Sequence, residues 1–410
     1  MFCHYRHMTK IDQYSAALAE PASVRIPAVA YVLTFCIAVV GSNSLVLGPI
    51  APEVARSLGV SVAFVMSAAS AFGLGTAASA LLAARHVDRI GARRMLAGAM
   101  VLLAAALAAS AAAPGAVVLA LAQLCAGLAS GIALPAVYSS AAAVAPPGRE
   151  SRTIGVVLTG WTLSMVAGVS LSAALADWVH WRAVYAVVAV LAVLAAAAVR
   201  ISLRPAAVPA SGHASPSPLA ALRIAGVAPL LVACAAFMAA FYGMYGYLGD
   251  HLHSRLGEPV SANGIAALVY GIGFGSAALL DGVVDRLGAR RVMPFAFLAV
   301  AGVYLAFAVA GATFHAVLVI VLAWGLTNHF GLNVLIMRLS SLDPARRGTV
   351  MGLNSAVTYL AVFLGTAGFA PVYEGYGFAA AARVAVALML VAAMAGIWAG
   401  RGDAAGIGRR

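Results

Sequence analysis

From Met95 to Gly148 the chain carries no charged residue, and from Val292 to Met337 it again carries none. A helix needs about 20 apolar residues to cross the hydrocarbon core of a bilayer, so each stretch is long enough to cross twice. Pro114-Gly115 breaks the first, and Gly311-Ala312-Thr313 breaks the second. Shorter runs of the same kind fill most of the remainder. The pattern predicts an all-α membrane protein of twelve spans, near 28–50, 60–84, 94–113, 116–144, 153–176, 182–200, 224–248, 261–281, 292–311, 314–338, 348–372 and 379–399. The first is not read as a cleavable signal, because its apolar run is too long and lacks a small-residue cleavage site. Met8 is an alternative start that would shorten only the leading tail.

Composition closes off other classes. Only 9% of the residues are charged, against roughly 25% in a soluble chain, so there is too little polar surface to cover a water-exposed body. The net charge of +12 sits between apolar runs rather than in a stripe, which argues against a nucleic-acid partner. Lys10 is the only lysine, so a Walker A loop is absent and ATP hydrolysis by that device is excluded. Cys3, Cys36, Cys125 and Cys234 lack disulfide or metal spacing, so no metal or other cofactor is expected. No Gly-x-Ser-x-Gly, His-Glu-x-x-His or paired intramembrane carboxylates occur, which leaves a membrane enzyme without its chemistry.

Basic residues orient the spans. With both termini inside, only Arg56, Arg182, Arg255 and Arg383 of the 25 Lys and Arg fall on the outer side, a bias that predicts cytoplasmic termini in a plasma (inner) membrane protein. The chain then divides into a cytoplasmic tail (1–27), a six-helix bundle (28–200), a Pro- and Ser-containing cytoplasmic linker (201–223), a second six-helix bundle (224–399) and a short tail (400–410).

The two bundles repeat. Asp88-Arg89-Ile90-Gly91-Ala92-Arg93-Arg94 recurs as Asp285-Arg286-Leu287-Gly288-Ala289-Arg290-Arg291, a shift of 197 residues (285 − 88). The same shift takes Pro147 to Pro344, Arg149 to Arg346 and Gly168 to Gly365. Two bundles inserted the same way up are the parallel repeat of a rocker-switch carrier. These loops resemble the signature of the major facilitator superfamily, between spans 2 and 3 and spans 8 and 9. The stretch from Gly160 to Arg182, with Gly168-Val169 and Trp181-Arg182, resembles the glycine-rich motif of that family's twelve-span efflux branch, and the whole chain is similar to bacterial arabinose-efflux-permease-type transporters. The resemblance implies a pseudo-symmetric twelve-helix fold and proton-linked export of small drug- or sugar-like molecules by alternating access. Asp88 and Asp285 lie on the inner face where spans 5 and 11 begin, and a carboxylate near a helix N-terminus is favoured, so Asp88, Arg89, Gly91, Arg93, Asp285, Arg286, Gly288, Arg290 and Gly168 are read as gating residues, with topogenic anchoring the alternative for the arginines.

The sequence departs from that pattern in places. Ala84 and Asp281 stand where the loop normally opens with Gly, and Ser170 stands where Pro usually follows the Gly-Val. Gln123, four residues before Gly127, takes the place of the buried Arg associated with proton coupling. A neutral amide cannot supply that fixed charge.

Polar content separates the helices. Spans 3, 6, 9 and 12 hold little beyond Ser110, Tyr185 and Tyr304, whereas spans 1, 4, 7 and 10 carry Thr34, Ser42, Asn43 and Ser44; Gln123, Ser130 and Tyr138; Tyr242, Tyr245 and Tyr247; and Thr327, Asn328, His329 and Asn333. A polar group facing hydrocarbon costs several kcal/mol without a partner, so the second set is expected to line a central, hydrated substrate cavity. Its candidate residues are Asn43, Gln123, Trp161, Tyr242, Tyr245, Asn328, His329, Asn333 and Asn354. For Asn43 and Gln123, helix-to-helix hydrogen bonding and substrate contact both fit. His329 and Asn333 share one helix face, and His329 is the titratable candidate for proton coupling, although a structural hydrogen bond fits it too. Tyr242 and Tyr245, with Trp161, Tyr270 and Tyr359, suit either a permissive aromatic pocket or ordinary packing. No Asp or Glu falls mid-span, which favours neutral or weakly polar cargo. The expected partners are a small molecule, the bilayer and coupling protons, with the monomer as the working unit. A passive facilitator is the near alternative, and a non-transporting sensor a more distant one.

Overall fold

The computed structural model of the chain describes residues 26–146, 150–203, 218–343 and 346–407; several of these, including 81–90, Asp281, Asp285 and 401–407, are described by backbone alone. Among the described residues there is no strand, and twelve helices are long and apolar enough to cross a membrane. Spans 1 to 4 are Ala28–Leu58, Val62–Ile90, Ala92–Ala111 and Ala116–Val144. Span 5 is Glu150–Leu163 and Ser170–Trp178 joined by a π-helical turn, Ser164–Val169. Spans 6 to 8 are Trp181–Ser202, Val227–Asp250 and Val260–Ala277. Spans 9 to 12 are Ala289–Ala310, Phe314–Ser341, Arg347–Tyr376 and Phe378–Ile407. Span 1 continues past its expected end near residue 50 through Pro49 and Pro52, and Gly59 closes it in the left-handed conformation, φ 66°.

The helices form two pseudo-symmetric bundles of six, and glycine contacts show how closely the halves match. A Cβ on Gly127 would lie 2.2 Å from the Phe72 carbonyl oxygen, and one on Gly325 would lie 2.2 Å from that of Tyr270. Spans 2 and 4 therefore cross backbone to backbone, and spans 8 and 10 do the same. The shift for this pair is 198 (325 − 127), not the 197 of the signature loops. Spans 2 and 8 share that 198 (Phe72 to Tyr270), and a short 3₁₀ segment, Ala278–Leu280, follows span 8 and brings the shift to 197 at the loop. Three 3₁₀ residues advance about 6 Å, as far as four α-helical residues, so the second half reaches its loop one residue sooner. Span 9, two residues longer than span 3 with a following connection one residue shorter, restores 198 in span 10.

Both signature loops turn on a glycine in a conformation that other residues rarely adopt: Gly91 at φ 87°, ψ 133° and Gly288 at φ 83°, ψ 132°. Two residues on, Arg93 donates to the carbonyl of Arg200 at the end of span 6, and Arg290 donates to that of Gly400 in span 12. Arg200 lies in the last turn of its helix, where cations are favoured, while Gly400 lies about two turns before the end of its helix. The side chains of Asp88, Arg89 and Asp285 lie outside the described set, and that of Arg286 is exposed.

The halves join along spans 2 and 11, 5 and 8, and 1 and 7, at the end away from these loops. There Ser70 Oγ and Thr366 Oγ1 share a 2.6 Å hydrogen bond, and Asn263 Nδ2 donates to the Pro49 carbonyl at 2.6 Å. A Cβ on Gly249 would meet the Gly48 carbonyl oxygen at 2.6 Å, and one on Gly264 the Ser170 carbonyl oxygen at 2.5 Å.

Candidate substrate cavity

In the first half, the polar side chains satisfy one another. Asn43 Nδ2 donates to Gln123 Oε1 at 3.1 Å, and Gln123 Nε2 donates back to Asn43 Oδ1 at 3.3 Å and to Ser110 Oγ at 3.0 Å. Asn43 and Gln123 are buried at 3% and 2% exposure, so this network fastens spans 1, 3 and 4 inside the bundle. Gln123 has both amide donors engaged there. Trp161 of span 5 donates through Nε1 to the Tyr138 hydroxyl at 3.3 Å. Gly168 packs on span 1, its missing Cβ only 2.0 Å from Ser42 Oγ, and Gly365 packs on Ala239 of span 7 in the same way.

The second half presents rings instead. Phe241 lies at the centre, 5.0 Å from Tyr242, 5.5 Å from Tyr245, 5.7 Å from Tyr270 and 5.4 Å from Trp324 between ring centroids. Trp324 donates through Nε1 to the Tyr304 hydroxyl at 3.1 Å, which fixes the indole from behind. Asn328 Nδ2 donates to the Tyr270 hydroxyl at 3.0 Å, and its other amide end is buried with no protein partner. At the next residue of span 10, His329 meets Phe274 edge-on at 5.0 Å. His329 and Asn333 are both half-buried. Asn354 of span 11 is buried, and its Oδ1 also lacks a protein partner. Tyr359 meets Phe72 across the halves at 6.4 Å.

The structure thus brings Tyr242, Tyr245, Asn328 and Tyr270 into one wall and keeps Asn43 and Gln123 in a separate network. Phe241 and Trp324 belong to the wall although a search for polar residues passes over them; Trp324 lies four residues before Asn328, on the same helical face, which was the available signal. Asn263 was missed because it lies near a span end, where an amide needs no explanation. Among the described residues no group of His, Cys, Asp or Glu is placed to hold a metal.

The family model described as Major Facilitator Superfamily matches residues 33–366. The chain belongs to the major facilitator superfamily. It is accordingly a multi-pass membrane transporter by family, not an enzyme. Among its relatives, an uncharacterized transporter of this type, YwfA of Bacillus subtilis (strain 168), is 28% identical over 90% of this chain and 91% of its own length. A chloramphenicol resistance protein of Streptomyces lividans is 28% identical over 68% of this chain and 70% of its own. Among solved structures, a bacterial homologue of the human lysosomal transporter Spinster, inward-facing and occupied, superposes with a TM-score of 0.72 at 14% identity, covering 92% of this chain and 96% of that one. The nucleoside transporter NupG, in a mutant form, gives 0.70 at 14% identity, covering 90% and 98%. At that identity these likenesses show the fold alone. The chain holds Gln123, paired with Asn43, where the resemblance leads one to expect an arginine.

Proposed function

We propose that this transporter exports small neutral, ring-bearing molecules across the plasma membrane, loading them from the cytoplasm and rocking bundles 28–200 and 224–399 about a central cavity. The ring wall around Phe241 carries this reading. Aromatic faces offer broad contact that tolerates many orientations, and no mid-span carboxylate is present to hold a cation. With the loop end cytoplasmic, the closed far end corresponds to a carrier open towards the cell interior. The resistance protein among the relatives supplies a probe, since chloramphenicol is neutral and carries one ring. Cells overexpressing the transporter in a host without its own pumps should accumulate less chloramphenicol than controls; equal accumulation removes export of this cargo.

Proton linkage rests on His329, the titratable side chain nearest mid-span. A coupling group must gain and lose a proton during the cycle, and Gln123 does neither. An uncoupler should abolish the accumulation difference. His329→Gln should cut the uncoupler-sensitive flux by about tenfold or more, and unchanged flux in that variant removes His329 from coupling. The closed Asn43–Gln123 network favours a second reading, a passive facilitator that moves cargo down its own gradient. Proteoliposomes with an imposed proton gradient separate the two: a facilitator stops at equal concentrations of chloramphenicol, and a coupled exporter drives it past them.

A further inference from the structure

Where spans 1, 7, 8 and 10 meet at the closed end, a small cleft is lined by Pro49, Tyr245, Gly249, Asn263, Tyr270 and Trp324 among others. Two of these lining residues, Asn263 and Tyr245, each carry a buried polar atom with no protein partner. Asn263 donates through Nδ2 to the Pro49 carbonyl at 2.6 Å. A carbonyl only accepts, so the amide cannot be turned round, and Asn263 Oδ1 is left as a buried acceptor without a donor. The Tyr245 hydroxyl is likewise buried and unpartnered, while its ring is held against Phe241 and Trp324. Asn263 is 2% exposed and Tyr245 5%. Buried polar atoms are nearly always satisfied, and two orphans in one cleft point to a third group between them.

The chemistry of that group follows from the pair. Asn263 Oδ1 can only accept, so the group must donate. The Tyr245 hydroxyl both donates and accepts, so its bond can run either way. A carboxylate has no proton to give Asn263, and an ammonium would be buried with no countercharge. The space, about 10 Å³, is near the lower limit of about 10–15 Å³ for one water-sized group. We propose that the cleft is a hydroxyl site, in which one O–H group donates to Asn263 Oδ1 and pairs with the Tyr245 hydroxyl. Two sources supply that chemistry: a resident water, or a hydroxyl of the cargo whose ring lies on the Phe241 wall that Tyr245 shares. The second source rests on the export reading above. It would let the carrier select hydroxylated rings beside the Asn263–Pro49 tie that closes the outer end.

The first test needs no cargo. A high-resolution experimental map of the ligand-free protein, closed at this end, should show one oxygen-sized peak within hydrogen-bonding distance of both atoms. An empty cleft, or a direct bond from either atom to another protein group, overturns the site. Tyr245→Phe keeps the ring and removes only the hydroxyl. Its melting temperature in detergent should fall if the site is filled; an unchanged or higher value also counts against it. The second test identifies the source. Chloramphenicol and its diacetate, in which both hydroxyls are blocked, are compared for binding to wild type and Tyr245→Phe. If the cargo hydroxyl enters the cleft, the wild-type preference for chloramphenicol should drop by about tenfold in the variant. An equal loss for both probes, or no change for either, overturns the cargo source, and the map and melting measurements then decide for or against resident water. If wild type binds neither probe, export of this cargo fails, while the map and melting measurements still decide the cleft.

Discussion

At the scale of single residues, the first half shows how a membrane protein handles amides in apolar surroundings. Asn43 and Gln123 exchange two hydrogen bonds, and Ser110 takes Gln123's remaining donor. Removing one member leaves the other's polar atoms buried and unpaired, which costs about 1–3 kcal/mol; replacing both with apolar groups of similar shape can be nearly neutral. Asn43→Leu and Gln123→Leu should therefore each lower thermal stability in detergent. The double variant should recover most of the loss, with a coupling energy of about 0.5–3 kcal/mol. Additive losses would show that the two amides do not depend on one another. From sequence, both residues were legible as polar groups in need of partners. Their pairing was not, because eighty positions separate them and nothing in the sequence sets the rotation of span 1 against span 4. The same limit hid Phe241, which reads as one more apolar residue until its four ring neighbours are seen.

At the scale of helices, the fold depends on a few points where backbones touch. Gly127 and Gly325 are the repeat-related pair, each with space for a hydrogen and none for a methyl group. Gly127→Ala and Gly325→Ala should both destabilise the protein, by about 1–3 kcal/mol for a methyl forced against a rigid neighbour. Gly98→Ala, where nothing lies within 4 Å, should be neutral or slightly stabilising, since it favours the helix by about 1 kcal/mol. Thermal unfolding of the three variants checks this, and a harmless Gly325→Ala would mean that spans 8 and 10 are not in backbone contact. The spans themselves were readable because charge-free length is a direct consequence of bilayer thickness. The π-helical turn in span 5 and the 3₁₀ segment after span 8 were not, because they redistribute hydrogen bonds without changing hydropathy. That 3₁₀ segment shortens the second half by one residue before its loop, and the longer span 9 restores the residue after it.

At the scale of the molecule, the duplication is structural and the chemistry is not duplicated. Applying the helix shift of 198 sets Gln123 opposite Val321, Trp324 opposite Ala126 and Asn328 opposite Ser130, so one bundle holds an amide network where the other holds rings. The proposed rocking requires contacts between the halves that exist in one state and break in the other. Ser70 and Thr366 are suited to test this, because their hydroxyl oxygens lie 2.6 Å apart and belong to different halves. In a background with Cys3, Cys36, Cys125 and Cys234 replaced, Ser70→Cys with Thr366→Cys should crosslink on oxidation, the side-chain approach being within disulfide reach. Flux should fall to background and return on reduction, since a carrier fastened at one end cannot complete its cycle. A crosslinked protein that still transports at the wild-type rate would mean that the far end stays shut throughout, and that cargo moves without the rocking of the halves.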